Sequence, residues 1–544
     1  MSKGRFIVFI SCVALITLYL GGRLYDLQIN KGAYYEALVQ GQSESLQEID
    51  GHRGRVFFNN QETLVTNKKQ YIIYFWPQNL KEEEVKNWSE LSSILNEEIT
   101  TNDKEILKRV VSKEDFSYLK NLDSEHIRFE ERLVRYYPHK QLASHVIGFV
   151  GGNQKGQYGL EQKYQAILQG ESGFKNISRN PYQYVAEPGK YELPERGNDL
   201  YLTIDYNIQF KASQLLKEAY ENLHFDRAQI GVINPQNGQI IAMASYPGYN
   251  PNQYQKSPLA SFKNPFIQEL YEPGSVLKPL TMAAAIEEEK VSPETTYEDT
   301  GLVELGGKPI RNYRERVWGE QTMTNVLEKS INTGAVFAQQ KIGGSLFLDY
   351  LKNFGLMKKT GVDLAGEVAS NNSLLQRGYK RDLAAASFGQ GINITPLQLM
   401  TAFSALANDG QLMRPYVVKK IVDSKGEVEE TQPQVIQQVI SPSTASQITL
   451  MLKSVVDNGY GKPAAVPGLS VCGKTGTAQI SYIGKEGYSE KTTQSFIGFG
   501  PALDPQFTIL VKLDNPESIN SSQSAAPIFS KLAQYIAQQY QITP

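Results

Sequence analysis

The sequence of 544 residues is poor in two residue types on which much enzyme chemistry depends. It has two cysteines, Cys12 and Cys472, which are too few for a disulfide framework or a cysteine-based zinc site. Its five histidines all lie within the first 224 residues, so the remaining 320 residues (544 minus 224) contain none. A catalytic centre in that C-terminal stretch must therefore take its base from another residue type or from far upstream.

The sequence also lacks an excess of either basic or acidic residues. The chain has 55 Lys and Arg against 57 Asp and Glu, which gives a formal net charge of −2. Because no basic footprint is present, nucleic acid is not an expected partner. The hydrophobic content of 41% is ordinary for globular protein, and the length predicts more than one domain.

The N-terminus predicts a membrane anchor. Lys3 and Arg5 precede an uncharged, mostly apolar run over Phe6–Gly22, which is just long enough to span a bilayer. Positive charge ahead of the run places the N-terminus in the cytoplasm and the rest outside it. A cleaved signal peptide is the alternative, but no small-x-small cleavage site precedes Arg23. We therefore expect a cytoplasmic tail over 1–5 and a transmembrane helix over 6–22 of a single-pass plasma membrane protein.

Composition and periodicity divide the rest of the chain into two regions. Residues 23–195 are polar and mixed, and they end in a segment rich in glycine and proline (171–197) that suits an interdomain crossing. From about 196 to 544, short strands alternate with helices. Individual predictions are a strand over 64–74, helices over 82–107, 208–223 and 524–539, and a hairpin over 230–243 around an Asn-Gly turn.

The first chemical motif is S-x-x-K, formed by Ser275 and Lys278 after Pro273-Gly274 and before an alanine-rich helix. Positions i and i+3 share a helix face, so the two side chains would be adjacent. A serine hydroxyl is a weak nucleophile until a base takes its proton, and a buried lysine can serve because burial lowers its pKa. The pattern alone is weak, since it recurs without these flanking features at Ser117 with Lys120 and at Ser172 with Lys175.

Two further motifs follow along the chain. Ser330 and Asn332 form S-x-N at the end of a helical run, where a simple cap or turn is the competing interpretation. Lys474, Thr475, Gly476 and Thr477 lie in a segment that reads as a strand. An exposed strand of this kind can pair with an extended peptide, and its lysine could bind a carboxylate.

A phosphate-binding loop is the competing interpretation of the last motif. The segment Gly468–Thr475 fits G-x-x-x-x-G-K-[ST] in full. A phosphate loop needs a buried strand before it and a helix after it, whereas residues 461–467 contain two prolines and residues 477–482 suit a strand. A nucleotidase is therefore only a remote alternative.

The order S-x-x-K, S-x-N, K-T-G is typical of penicillin-binding proteins and class A β-lactamases. Together with its other motifs, the sequence resembles class B penicillin-binding proteins, especially those that act in cell division. The box that begins at Arg53 departs from the family pattern after Val56. The further segments similar to the family are 53–56, 135–138, 143–148, 159–161, 168–170, 387–391 and 395–398.

The resemblance implies an α+β fold. After the single transmembrane helix, an elongated α/β pedestal of the dimerisation type would cover residues 23–195. A transpeptidase domain like that of β-lactamases, with a five-stranded antiparallel sheet flanked by helices, would cover residues 196–544. The implied activity is that of a serine D,D-transpeptidase that cross-links peptidoglycan and is covalently inhibited by penicillin.

The resemblance also implies residue roles. Ser275 would attack the carbonyl between two D-alanines, and Lys278 would take its proton. Ser330 and Asn332 would relay the proton and hold the donor stem. The substrate would be bound by the strand residues of the third motif: Lys474, Thr475, Gly476 and Thr477. Of these, Lys474, Thr475 and Thr477 would bind the terminal carboxylate, and the backbone N–H groups of Ser275 and Thr477 would stabilise the oxyanion.

No cofactor and no metal are expected. The implied partners are the donor stem peptide, the acceptor amine, β-lactams, the plasma membrane, a membrane-embedded glycan polymerase and divisome proteins. The alternatives that remain within the same fold are a D,D-carboxypeptidase and a β-lactam-binding sensor.

Overall fold

The structure is a computed structural model. It describes residues 3–31, 44–49, 51–75, 93–94, 107–121, 127–171, 173–180, 183–185, 191–192, 194–370, 372–482 and 487–542. The chain divides into two compact units. The first contains Met1–Arg53 and Gln169–Gly197, and the second contains Gly54–Leu168 and Asn198–Pro544.

The first unit contains a helix and a small antiparallel sheet. The helix Lys3–Tyr25 continues as a π-helical turn over Asp26–Asn30. The strand Gly173–Asn180 pairs with Glu44–Ile49, Gln183–Val185 and Tyr191–Glu192. The segment 171–197 therefore contributes strands rather than a plain crossing, because its prolines fall between the paired stretches and leave their N–H groups free to bond.

Two predicted helices in the N-terminal part of the chain can be compared with the structure. The predicted transmembrane segment, 6–22, lies inside the helix Lys3–Tyr25. Among the residues that the structure describes, no helix combines the length and the apolar content that a membrane crossing needs. The helix predicted over 82–107 falls almost entirely outside the described residues, and its last residue begins the strand Leu107–Val111.

The second unit begins with a sheet to which distant parts of the sequence contribute. In the described chain its strands follow the order Val428–Glu430, Val418–Val422, Asp199–Leu202, Val56–Phe57, Thr63–Phe75 and Leu107–Val111, with Ile127–Tyr136 also paired to Thr63–Phe75. The strand predicted over 64–74 is confirmed. Next to this sheet, Arg135 Nε donates to Glu161 Oε1 at 2.6 Å, and both side chains are buried.

The central sheet of the second unit has five antiparallel strands, as predicted. Helix α1 (Tyr206–Leu223) leads into the hairpin of β1 (Arg227–Ile233) and β2 (Ile240–Tyr246). Three strands near the C-terminus complete the sheet: β3 (Cys472–Ser481), β4 (Tyr488–Gly500) and β5 (Phe507–Asp514). The spatial order is β2-β1-β5-β4-β3, which leaves β3 at one edge.

Both faces of this sheet are buried, and strand alternation sends successive side chains to opposite faces. Ile509 and Val511 of β5 pack in one core with α1 and the closing helix α6 (Ala525–Gln539), which lies close to its predicted position. Leu510 of β5 packs in the other core with the helices α2 (Lys278–Glu287), α4 (Pro396–Leu406) and α5 (Pro442–Asp457). Helix α3 (Asn332–Ile342) contacts α2.

Smaller elements surround this core. The remaining helices are Lys113–Asn121, Ser144–Ile147, Gly159–Lys163, Gln165–Gln169, Pro265–Gln268, Met323–Glu328, Gly344–Asn353, Ser373–Gln376 and Lys380–Ala386. Two-stranded pairs are Phe149–Val150 with Gly156–Gln157, Thr296–Asp299 with Gly319–Thr322, Leu302–Leu305 with Lys308–Arg311, and Gln411–Met413 with Val435–Gln438.

Candidate active site

The serine of the first motif lies in a tight turn at the start of α2. The 3-10 turn Gly274–Leu277 leads directly into the helix at Lys278. Ser275 is half-buried and lines a groove, whereas the side chain of Lys278 is buried. Gly274 has a φ of +65°, a value that glycine adopts without steric cost.

A second glycine, Gly389, lies directly against this turn. The N–H of Gly274 donates to the carbonyl of Gly389 at 3.0 Å. A Cβ atom added at Gly389, whose φ is +82°, would lie 2.1 Å from the carbonyl oxygen of Gly274. The segment 387–391 can therefore lie directly on the serine turn only because this position has no side chain.

Lys278 connects the first motif to the second. Its Nζ donates to Ser330 O at 2.6 Å, to Ser330 Oγ at 3.2 Å and to Asn332 Oδ1 at 2.8 Å. Burial lowers the pKa of this lysine well below its usual range, and the nearby charge of Lys474 lowers it further. A lowered pKa favours the neutral amine, which is the form that accepts a proton.

A backbone turn positions the serine of the second motif, and a hydrogen bond to a backbone carbonyl positions the asparagine. Ser330 has a left-handed φ of +55°, so the chain turns sharply between the helix Met323–Glu328 and α3. The Nδ2 of Asn332 donates to Arg311 O at 3.0 Å. That bond fixes the orientation of the side-chain amide, so its oxygen faces Lys278.

The third motif lies on the edge strand β3. Lys474 is completely buried, and its Nζ donates to Ser330 Oγ at 2.9 Å and to Thr475 O at 3.1 Å. Burial lowers the pKa of Lys474 to about 7. A Cβ atom at Gly476 would lie 2.6 Å from Ser495 Oγ and 2.8 Å from Val276 Cγ1, so glycine allows the strand to lie against the serine turn.

The three motifs meet in one groove of about 870 Å³. Its lining includes Ser275, Ser330, Asn332, Thr475 and Thr477. The Oγ of Ser330 bridges the two buried lysines, which come from segments 52 residues before it and 144 residues after it. The groove therefore combines a half-buried hydroxyl, an amine of low pKa and a polar strand edge, which together can support nucleophilic acyl transfer.

The competing patterns that the structure describes do not form such a site, and Ser172 lies outside the described residues. Ser117 lies in the helix Lys113–Asn121, where its Oγ donates to Lys113 O. A second K-T-G pattern occurs at 359–361, where Thr360 Oγ1 donates to the buried Glu367. Thr475 is followed by strand rather than by the helix that a phosphate-binding loop needs.

One buried hydrogen-bond network beside the groove cannot be predicted from the sequence. Asn312 Oδ1 accepts hydrogen bonds from the N–H groups of Asn332 and Thr333, and Asn312 Nδ2 donates to Asp299 at 2.9 Å. Thr333 Oγ1 donates to Asp299 Oδ1 at 2.6 Å. Because α3 begins at Asn332, this network holds the start of the helix in place. Neither Asp299 nor Asn312 belongs to a motif, so only the structure identifies them.

Metal-ligating side chains are not clustered in the described part of the chain. None of its groups of histidine, cysteine, aspartate and glutamate is suited to hold a metal ion.

Comparisons with known proteins agree across nearly the whole chain. The family model described as penicillin binding protein transpeptidase domain matches residues 228–534, and the penicillin-binding protein dimerisation domain matches residues 48–202. Stage V sporulation protein D of Bacillus subtilis is 33% identical over 521 residues, covering 92% of this chain and 80% of that protein. Peptidoglycan D,D-transpeptidase FtsI of Escherichia coli K12 is 26% identical, covering 99% and 92%.

A similar solved structure is that of penicillin binding protein 3 from Mycobacterium tuberculosis in complex with aztreonam. It superimposes with a TM-score of 0.72 at 26% identity, covering 91% of this chain and 98% of that one.

Proposed function

The chain belongs to the penicillin-binding protein transpeptidases, and we propose that Ser275 is the nucleophile with which it cross-links peptidoglycan stem peptides. One observation carries this assignment. Ser275 lines the groove in the turn that leads directly into Lys278, a buried lysine of lowered pKa that is hydrogen-bonded to Ser330 and Asn332. The chain is thus a peptidoglycan D,D-transpeptidase whose reaction proceeds through an acyl-enzyme.

Lys278 is the base in this scheme. As a neutral amine it has two N–H groups and one lone pair, whereas three acceptor atoms lie within its reach. Two of these contacts can be made at once, and the lone pair is left to take the proton of Ser275 Oγ. The oxygen then attacks the carbonyl between the two D-alanines, and the C–N bond of the tetrahedral intermediate breaks.

The leaving D-alanine needs a proton on its nitrogen. Ser330 Oγ lies 3.2 Å from Lys278 Nζ and 2.9 Å from Lys474 Nζ, so it can pass the proton from Lys278 to the leaving amine. In the second half-reaction, the amine of an acceptor stem attacks the ester. It forms the cross-linking amide, and Ser275 recovers its proton.

The strand β3 binds the donor stem. Among the described residues β3 pairs only with β4, so its outer edge can hydrogen-bond to an extended peptide. Lys474 and Thr475 take the terminal carboxylate, and Gly476 lets the strand lie against the serine turn. The N–H groups of Ser275 and Thr477 stabilise the oxyanion.

The location of the enzyme follows from its N-terminus. Phe6–Gly22 carries no charge and follows Lys3 and Arg5, which supports a single membrane anchor with a cytoplasmic tail and the catalytic domain outside. A pedestal over 23–195 and a transpeptidase domain over 196–544 accompany it. Similarity to FtsI supports a role of the enzyme in cell division, with a membrane-embedded glycan polymerase and divisome proteins as partners.

A transfer assay tests the proposed reaction. The full-length protein in detergent is given a peptide that ends in D-Ala-D-Ala, with and without an acceptor amine. We expect D-alanine release and a new amide product with the acceptor, no product from Ser275→Ala, and normal activity from Ser117→Ala. Hydrolysed peptide as the only product in both reactions would indicate a carboxypeptidase. Product formation by Ser275→Ala would contradict the nucleophile assignment.

A further inference from the structure

The wall of the groove beside Asn332 is strongly basic. Five cationic side chains line the groove, and Asp382 is the one carboxylate among its lining residues. Their sum is +4 (five minus one), whereas the whole chain carries −2. We call this set the cationic wall, and its members are Arg311, Arg314, Arg316, Lys329 and Arg381.

Two members of the cationic wall have guanidinium groups that are free to bind. Arg316 donates to Tyr460 Oη at 2.7 Å, Lys329 donates to Gln321 Oε1 at 2.6 Å, and Arg311 lies 3.8 Å from a glutamate. Within the described residues, Arg314 and Arg381 have neither a hydrogen-bond acceptor nor a carboxylate in reach. Arg314 lies over the ring of Tyr313 at 5.3 Å, and both arginines are exposed.

The backbone ties both arginines to the proposed catalytic residues. Arg314 lies in the turn Tyr313–Glu315, just after the strand Lys308–Arg311 whose last carbonyl accepts from Asn332. Arg381 lies in the short helix that leads into the segment 387–391, which packs on the serine turn. Because these connections are short, the backbone holds the Cα atoms of both arginines in place relative to Ser275, and the side chains extend from there into the groove lining.

We propose that Arg314 and Arg381 select donor stem peptides whose residues upstream of the two D-alanines keep free carboxylates. The selection rests on the function proposed above, in which Lys474 and Thr475 already take the terminal carboxylate. Further carboxylates of the stem are therefore the anions that the cationic wall meets. A guanidinium binds a carboxylate through two parallel hydrogen bonds, whereas an amide at the same position brings N–H donors toward donors.

Two peptides and four variants test this selection. The peptides end in D-Ala-D-Ala and differ only upstream, where one carries free carboxylates and the other carries amides. The rate of D-alanine release at low substrate concentration is measured for the full-length protein in detergent. We expect the wild type to prefer the acid by about three- to tenfold, because each exposed ion pair contributes a factor of about two to three and two are made.

The variants separate a charge effect from a general loss of activity. Arg314→Gln and Arg381→Gln should each lower the preference, and together they should bring it close to one. Lys380→Gln removes the exposed charge next to Arg381 that does not line the groove, and it should leave the preference unchanged. The preference should also shrink as salt is raised from 50 mM to 500 mM, since salt screens exposed charges. A lipid-linked pyrophosphate is another anion that the cationic wall could bind. Because the peptides carry none, the measured preference depends on peptide carboxylates alone.

Penicillin labelling, measured on each protein in parallel, distinguishes the possible failures. Equal use of the two peptides by a wild type that takes up penicillin would overturn the selection and leave the nucleophile assignment intact. The same holds for a preference that survives in the double variant, or that Lys380→Gln lowers equally. A wild type that takes up no penicillin would overturn both proposals.

Discussion

Replacing Lys474 by methionine should stabilise the protein while abolishing its reaction. The lysine side chain is completely buried, and burial lowers its pKa from the ordinary value of 10.5 to about 7. In the unfolded chain the same amine is hydrated and keeps its ordinary pKa. The folded state therefore binds this proton more weakly, which costs stability wherever the unfolded chain is protonated.

The sign and size of the effect follow from these two pKa values. Below pH 7 the cost is complete, and it disappears as the pH rises from about 7 to 10.5. Its full size is roughly 5 kcal/mol, since a tenfold change in an ionisation constant is worth about 1.4 kcal/mol. Methionine removes this cost but also loses the hydrogen bonds to Ser330 and Thr475, worth about 1–3 kcal/mol together. We expect Lys474→Met to be about 2 kcal/mol more stable at pH 6–7.

Urea unfolding of the two proteins between pH 6 and pH 10 measures this difference. Titration of the groups that do not interact with Lys474 cancels when the variants are compared at each pH. Loss of the Lys474 charge also raises the pKa of Lys278, which adds to the advantage of the variant in the same direction. The advantage of Lys474→Met should fall by several kcal/mol between pH 7 and pH 10 and change sign at the upper end. Lys531→Met, at an exposed position, should show a flat difference. A flat difference for Lys474→Met as well, or a variant less stable at every pH, would refute the reasoning.

Three further predictions concern the groove and its support. Gly389→Ala should destabilise the protein by about 2 kcal/mol or more and slow penicillin acylation, because its Cβ would lie 2.1 Å from Gly274 O at a left-handed φ; thermal unfolding and labelling rates check this. The acylation rate should fall as the pH drops through the lowered pKa of Lys278, since a protonated amine takes no proton; a rate that rises toward low pH in stopped-flow measurements would contradict that role. Arg135→Met should cost about 3 kcal/mol by removing a buried guanidinium from the buried carboxylate of Glu161, and a thermal unfolding midpoint equal to that of the wild type would count against this.

Short-range features of the site could be predicted from the sequence. Ser275 and Lys278 are three residues apart, and the Pro-Gly turn before them predicts a sharp entry into the helix. The hairpin around Gly238 is similarly encoded by its two central residues. The five-stranded sheet was inferred by resemblance, because periodicity alone does not reveal which strands pair.

Long-range features could not be predicted. Ser330 Oγ lies between two lysines because three separate segments converge on it, and neither spacing nor periodicity encodes that convergence. The pKa of Lys474 depends on complete burial, which a polar residue in a strand pattern does not indicate. The contact of Asp299 with Asn312 and the charge of the cationic wall likewise arise only when the chain is folded.

The predicted crossing at 171–197 shows a different limit. Its glycines and prolines predict a linker, yet the stretches 173–180, 183–185 and 191–192 pair as strands. Composition identifies the turns of such a segment and says little about the short extended stretches that the turns separate.

Covalent labelling by a fluorescent penicillin tests the central claim, that Ser275 is the nucleophile, most directly. The full-length protein, Ser275→Ala and the matched control Ser117→Ala are incubated with the label, and the adduct is located by peptide mass spectrometry. The account predicts one label on the wild type and on Ser117→Ala, in the peptide that contains Ser275, and none on Ser275→Ala. Label retained by Ser275→Ala, or an adduct located at Ser330 in the wild type, would contradict it.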